Sequence, residues 1–331
     1  MSPNELHVVY GTSPLGKSTA RELVNLGKTV RLVNRSGKAD QLPGGVEVVA
    51  SDAYDAVKNV EVTQGAAAIY QCAQPHYYEW AEKFPPLQRA ILEAASKNGA
   101  KLVVGDNLYM YGDPHGQPIR EDSAIRPNTK KGKVRAAMAQ EVLETHNAGK
   151  VRAAIGRASD FFGPGYDVFA DLVIRPALAG KAVNVLGRTD QPHTFSYVAD
   201  FGRLLATLGT RDEALGQVWF TPSPAAVTQA ELVKMLEAEL GRPVKVMAAG
   251  AMLARLIGLF NKDMAETVEM IYEWTGPFVM DSSKAEKAFG WKGTPLQQAL
   301  KETVEWCKAY PKNTKSRLNS FPCKRDSRFA V

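Results

Sequence analysis

The segment His7-Val8-Val9-Tyr10-Gly11-Thr12-Ser13-Pro14-Leu15-Gly16-Lys17-Ser18 fits two phosphate-binding loops at once. Gly11, Ser13 and Gly16 read as a G-x-G-x-x-G dinucleotide fingerprint with serine in the middle glycine's place, whereas Gly11 to Ser18 reads as G-x-x-x-x-G-K-S, the loop that wraps ATP or GTP phosphates. Both place a helix N-terminus against an anion, where unpaired N–H groups and the positive end of the helix dipole favour phosphate. The loop therefore indicates a phosphate ligand without saying which one.

The residues that follow separate the two readings. A helix is expected over 17–26, with Ala20, Leu23, Val24 and Leu26 as its apolar stripe and Gly27 as its stop, and then a strand Thr29–Asn34 that ends in Arg35-Ser36-Gly37-Lys38. In a dinucleotide-binding unit this strand end meets the adenosine ribose. An acid there prefers a free 2′-hydroxyl, and an arginine accommodates a 2′-phosphate. Arg35 with Ser36 thus argues for NADP, with NAD as the alternative cofactor. The triphosphate reading gains only the run Leu102-Val103-Val104-Gly105-Asp106, which can imitate a strand ending in a magnesium-binding aspartate, and it leaves Arg35 without a purpose.

Composition bounds the remaining classes. The chain has 331 residues, 45% hydrophobic and 23% charged, as in an ordinary globular protein. No stretch approaches the roughly 18 apolar residues of a membrane span. The first strand begins by Leu6, so no secretion signal is expected and the expected compartment is the cytoplasm. Cys72, Cys307 and Cys323 are widely spaced and suggest neither a disulfide framework nor a metal centre. The net charge of +6 is dispersed; only Lys130 to Arg135 and the tail from Lys312 to Arg328 are locally basic. No nucleic-acid or membrane partner is therefore expected; the expected partner is a small-molecule substrate, and a homodimer is compatible with the chain.

Strand-like and helix-like segments alternate. Strands are expected at 46–50, 66–71, 101–105 and 151–156, and helices at 87–98 and 134–145. The implied fold class is α/β, a Rossmann-type doubly wound parallel sheet with a smaller C-terminal substrate-binding domain. Residues 1–160 form the expected NAD(P)-binding domain, to which a late strand near 217–221 returns; 161–311 are mainly substrate-binding, and 312–331 are a basic, mobile tail. Helices are expected at 229–240 and 296–310, and the apolar run 248–259 reads as a packed helix or a substrate lid.

At this level the chain resembles an extended-type short-chain dehydrogenase/reductase of the NAD-dependent epimerase/dehydratase group, and more closely its atypical members. The landmarks are the loop Gly11-Thr12-Ser13-Pro14-Leu15-Gly16, the strand end Ser51-Asp52-Ala53, the segment Asp106-Asn107-Leu108-Tyr109-Met110-Tyr111-Gly112, the turn Phe162-Gly163-Pro164-Gly165, and His193 to Asp200. Their order and spacing set the triphosphate reading aside. The resemblance implies cofactor contacts from Gly11, Thr12, Ser13, Leu15 and Gly16, from Asn34, Arg35 and Ser36, from Asp52 and Ala53 near the adenine, and from Cys72 and Ala73 after the fourth strand. Asp52 reads equally well as a turn or helix cap, and Cys72 as packing.

The resemblance also implies a serine, a proton-transferring tyrosine and a lysine four residues beyond it. In this chain those positions fall on Asn107, Lys131 and Arg135, so the tyrosine-lysine pair is absent. Arg135 can hold a ribose or phosphate but cannot act as a base. Asn107 can donate to a developing oxyanion, and Lys131 or Tyr111 is the expected proton donor, with Tyr109 as another candidate hydroxyl. Tyr109 and Tyr111 read equally as core aromatics, and Tyr166, His193 and Tyr197 as residues near a cleft between domains. The expected function is an NADP-dependent reductase acting on a carbonyl or conjugated double bond. The alternatives are a sugar-nucleotide epimerase or dehydratase, and a non-catalytic redox sensor that binds the dinucleotide.

Overall fold

Short runs rich in valine, isoleucine and alanine, apolar on both faces, form the strands of a parallel sheet. The computed structural model describes residues 5–249 and 268–312. Its main sheet is built from β1 (Leu6–Tyr10), β2 (Thr29–Asn34), β3 (Glu47–Ala50), β4 (Ala66–Gln71), β5 (Lys101–Asp106), β6 (Ala153–Arg157) and a late strand Val218–Phe220. All seven are parallel, in the order Val218–Phe220, β6, β5, β4, β1, β2, β3. The chain order reverses between β1 and β4, so the crevice for a ligand opens beyond the carboxyl ends of these two strands.

Side chains alternate between the faces, and two cores result. Val9, Leu32 and Val103 face one core with Leu23, Phe201 and Leu204; Val8, Ile69 and Leu102 face the other with Phe84, Ile91 and Val142. The first face carries α1 (Pro14–Asn25), the second α2 (Ala56–Val62), α3 (Trp80–Asn98) and α4 (Lys130–Asn147). α1 begins earlier than its apolar stripe suggests, because Ser13 is the N-cap and Pro14 opens the helix, where its missing N–H costs nothing. α3 also begins earlier than expected and runs through Pro85 and Pro86. Its added turn is held by the buried Trp80 and Phe84, whose rings lie 5.5 and 4.6 Å from the Arg135 guanidinium. α4 starts at Lys130, capped by the Thr129 hydroxyl, which accepts from the Gly132 N–H at 3.0 Å.

Beyond β6 the chain builds small ladders and helices. β7 (Phe161–Phe162) leads into α5 (Asp167–Phe169), a π-helical turn Ala170–Ile174 and α6 (Arg175–Leu178). β8 (Val183–Leu186), β9 (Pro192–His193) and β10 (Ser196–Tyr197) follow; β10 pairs with β7. The next helix, α7 (Val198–Thr210), has no counterpart in the sequence expectations and lies on the far side of the expected boundary at 160. It packs on α1 so closely that a Cβ on Gly202 would stand 2.6 Å from the Ser18 backbone. β11 is the late strand Val218–Phe220, and β12 (Val227–Thr228) pairs with β9 before α8 (Gln229–Leu240). β13 (Val246–Ala249) pairs with β8; α9 (Ser283–Phe289) joins the main-sheet core through Ala285 and Phe289, and α10 (Leu296–Ala309) joins a third core with Ala170, Ile174, Val183 and Leu236. Most of the apolar run 248–259 and the tail beyond Lys312 lie outside the described residues. Among those described, no helix is long and apolar enough to cross a membrane and no cluster of side chains could hold a metal ion.

One polar cluster is sealed inside this frame. The Asp106 carboxylate, 3% exposed, accepts from Arg135 Nε at 2.6 Å and from Arg157 Nε at 2.9 Å, while Arg157 Nη1 donates to the Tyr111 hydroxyl at 2.7 Å. Removing one partner of a buried pair leaves an uncompensated charge, and here two guanidinium groups would be stranded together. Asp106→Ala is expected to lower unfolding free energy by about 3–5 kcal/mol in urea titrations. A loss below about 1 kcal/mol, the scale of an exposed pair, would show that the cluster does not hold this region.

Candidate active site

A cavity of about 960 Å³ opens at the carboxyl ends of the strands. Its first part is built from the β1–α1 loop. Gly11 has φ +104°, a conformation that L side chains rarely adopt, and a Cβ there would lie 2.9 Å from Ala73 N and Cα. A Cβ on Gly16 would stand 2.0 Å from the Gly11 carbonyl oxygen. Ser13, at φ −63° and ψ 167°, is in ordinary extended backbone, so the middle position of the fingerprint needs no glycine here. The two glycines let the loop close against the β4 end and against itself, and so shape a cradle at the α1 N-terminus of the kind that suits a dinucleotide pyrophosphate. Lys17 ion-pairs with Asp40 at 2.6 Å instead of reaching back over the loop as a triphosphate-binding lysine must.

Gly11, Thr12, Ser13, Asn34, Arg35, Asp52, Ala53, Cys72 and Ala73 all line this cavity. Leu15 and Gly16 are buried behind the loop, and the Ser36 hydroxyl turns to Asn34 Oδ1 and the Lys38 carbonyl, both at 3.2 Å. These three residues support the cradle's shape and do not face its space. Asn34 closes the turn after β2, accepting from the Gly37 N–H at 2.7 Å, and leaves the exposed Arg35 facing the cavity. Asp52 fits both of its readings: it lines the cavity and accepts from the Tyr54 N–H at 3.1 Å. The Cys72 thiol is pushed up to about 12 by burial, which makes it a packing group and not a nucleophile at neutral pH.

The expected catalytic residues divide. Asn107 lines a smaller adjoining cavity of about 150 Å³. Its Oδ1 accepts from the Tyr109 N–H at 3.2 Å and its own N–H donates to Asp106 at 2.8 Å, which fixes the side chain. Tyr111 and Lys131 line neither cavity. The Tyr111 hydroxyl is taken by Arg157 and donates to the Glu121 carbonyl at 3.3 Å, and its ring sits in a core with Phe220 and Phe278. Lys131, at the start of α4, places its ammonium 3.3 Å from Glu269 and 4.3 Å from the centre of the Tyr77 ring. Arg135 is bound to Asp106, but its Nη1 is buried without a hydrogen-bond partner and the residue lines the smaller cavity.

Tertiary structure gathers a different set of groups beside Asn107. Tyr109, Tyr77, Asp160 and Glu273 line both cavities. The Tyr77 hydroxyl donates to that of Tyr109 at 3.4 Å, and burial raises both phenols, so both stay protonated donors. Asp160 Oδ2 lies 3.0 Å from Nε2 of His193, whose ring stacks on Trp274 at 4.1 Å and whose Nδ1 lies 3.2 Å from the Glu273 carbonyl oxygen. His193 therefore meets an acid, Asp160, which lies just before β7 and beyond the carboxyl end of β6. Burial, and secondarily the charge of Asp160, holds the Glu273 carboxyl well above the usual carboxylate range. Tyr166 lines both cavities and Tyr197 neither; the Tyr197 hydroxyl bonds Glu302 instead.

Comparison with known proteins bears on the family and the fold. The family model described as NAD dependent epimerase/dehydratase family matches residues 8–219. The 3beta-hydroxysteroid-dehydrogenase/decarboxylase isoform 2 of Arabidopsis thaliana is 22% identical over 303 residues, covering 79% of this chain; the match spans 52%, about half, of that relative's length. Among solved structures, dTDP-glucose 4,6-dehydratase from Bacillus anthracis in complex with NAD superposes with a TM-score of 0.77 at 16% identity, covering 93% of this chain and 97% of that one. UDP-glucuronic acid 4-epimerase from Bacillus cereus in complex with NAD gives 0.74 at 17%, covering 92% and 99%.

The Glu273 carboxyl generates a pH prediction. Its folded pKa is raised above the unfolded value near 4.5, so its stabilising contribution is complete below that pH and is lost as pH rises towards the folded value. Glu273→Gln removes the titration, so thermal midpoints of variant and parent should nearly coincide below that pH and separate in the variant's favour as pH rises above it. Parallel profiles across the whole range would mean that Glu273 is ionised in the folded protein.

Proposed function

The chain belongs to the NAD-dependent epimerase/dehydratase family, and from that premise we propose that it moves a hydride between a nicotinamide dinucleotide and an oxygen-bearing carbon of a small molecule. The observation that carries this reading is the continuity of the cleft from the glycine cradle to the groups around Asp160. A dinucleotide bound in the cradle supplies hydride acceptance or donation. The side chains supply the rest. Asn107, its carbonyl committed to the Tyr109 N–H, has its amide group available to a substrate oxygen, and Tyr109 donates from the same cavity. Asp160, held by His193, is the group in place to accept or return the substrate hydroxyl's proton.

This assignment reorders the expectations. The sequence put a reductase ahead of an epimerase or dehydratase because the tyrosine-lysine pair is missing. The family match supports epimerase or dehydratase chemistry, and the Asp160–His193 pair beside two phenols is the proposed acid-base set in place of the missing pair. Lys131 and Tyr111 take positioning roles in place of the proton-donor roles first assigned to them. Lys131 braces Tyr77, and Tyr111 braces Arg157 and through it Asp106. NADP is the proposed cofactor form, because β2 ends in Asn34 instead of a carboxylate and Arg35 faces the cavity.

Two experiments test the proposal. In calorimetric titrations NADPH should bind more tightly than NADH by roughly tenfold or more, as a charge-assisted contact allows, and Arg35→Ala should abolish the preference; equal affinities for the parent protein would remove the NADP assignment. With a turned-over substrate, Asn107→Ala and Asp160→Asn should each lower turnover by about 10²–10³ while dinucleotide affinity holds. Unchanged turnover in both would place the chemistry elsewhere, and tight NADPH binding with no turnover of any substrate would favour the sensor.

A further inference from the structure

The part of the large cavity beyond Asp160 is walled by apolar side chains, among them Phe169, Val173, Val185, Leu232 and Trp274. Val168 and Leu172, one helical turn apart, also line it and remain 58% and 36% exposed. Both lie in or beside the π-helical turn Ala170–Ile174, a feature that re-aims side chains and is frequent at functional sites. The polar groups of this wall are largely spent. Gln229 Nε2 donates to the Leu186 and Arg188 carbonyls at 2.6 and 2.8 Å, Asp160 is held by His193, and Asn184 is the amide left over.

Charge is distributed unevenly along the same cavity. Its cationic lining residues, among those described, are Arg35 and Lys83, both beside Tyr54 at the adenosine end. The apolar part of this cavity beyond Asp160 has carboxyl groups, Asp160 and Glu273, and no lysine or arginine among the described residues; the guanidinium nearest to it, Arg135, lines the smaller cavity beside Asn107 and is bound to Asp106. A nucleoside diphosphate placed there would surrender the hydration of its charges without an ion pair in return, next to a carboxylate. An apolar molecule would instead cover Val168 and Leu172 and lose nothing to the walls.

The geometry points to a substrate that is uncharged and mainly apolar, carrying its hydroxyl or carbonyl group at the end that meets Asn107, Tyr109 and Asp160. A nucleoside-diphosphate sugar would find no cationic partner among the described residues of this chamber. This inference rests on the hydride-transfer reading for the reacting group, but the choice between an apolar and an anionic ligand stands on the chamber walls.

The test uses the full chain saturated with NADP⁺, titrated calorimetrically with cyclododecanone, 5α-androstan-3-one and UDP-glucose. At least one ketone is expected to bind and UDP-glucose is not. The double substitution V168D/L172D, at exposed positions that a folded chain tolerates, should weaken ketone binding by about tenfold or more and leave NADPH affinity unchanged. Binding of UDP-glucose in preference to both ketones would overturn the inference, as would ketone affinity indifferent to the double substitution. Nicotinamide absorbance, followed with NADPH and each ketone, separates the two readings: ketone binding lost in V168D/L172D but never accompanied by NADPH oxidation supports the apolar chamber and counts against hydride transfer.

Discussion

A carboxylate sealed between two guanidinium groups sets the geometry of the catalytic end. Asp106 closes β5, Arg135 comes from α4 and Arg157 closes β6, so one buried cluster ties two strand ends to a helix. Charges this deeply buried are tolerable only when paired and hydrogen-bonded, so the three side chains have little freedom to rearrange. The same carboxylate accepts from the Asn107 N–H, and Asn107 in turn accepts from the Tyr109 N–H. Asn107 and Tyr109 are thus aimed into the smaller cavity by the group that holds the arginines. A lysine in place of Arg135 would offer a compact ammonium where the structure uses a planar fork stacked on Phe84. The departure at position 135 and the aspartate at 106 are two sides of one arrangement.

The cofactor end depends on a different constraint, close approach of backbone to backbone. Gly11 and Gly16 are required for space and conformation, whereas Ser13 occupies a position where the backbone is ordinary. The imperfect fingerprint is therefore a complete cradle. α7 adds a tertiary constraint, since Gly202 lets it lie against α1 and fixes the direction in which the α1 N-terminus points. Phosphate binding at a helix terminus acts over the first turn, so that direction matters.

Polarity along the cleft separates its two ends. Cationic side chains gather where an adenosine phosphate would lie, and carboxyl and phenol groups gather where hydride chemistry would occur. Burial favours the protonated forms of Glu273, Tyr77 and Tyr109, which turns this end of the cleft towards hydrogen-bond donors in a mostly apolar surround. In such surroundings hydrogen bonds to a substrate oxygen are stronger than in water, and unpaired ionic groups are disfavoured.

The sequence by itself determined the strands of the main sheet, the glycine turn after β1 and the absence of the tyrosine-lysine pair. These features are local: alternating burial, helical periodicity and the demands of a tight turn are written within a few residues of one another. It missed the start of α3, because the pair Pro85-Pro86 reads as a helix boundary, and it missed α7, although Phe201-Gly202-Arg203-Leu204-Leu205 carries a helical stripe. Only the tertiary structure decided which groups meet in the cleft. Asp160 meets His193, and Glu273 closes the same cavity, across separations in the chain over which periodicity carries no information. Tyr111 and Lys131 sit at the expected positions in the chain, but the packing of Phe220 and Arg157 around one and of Tyr77 and Glu269 around the other removes them from the cleft. A side chain's place in the sequence fixes its element, whereas its exposure to a substrate is set by what packs around it.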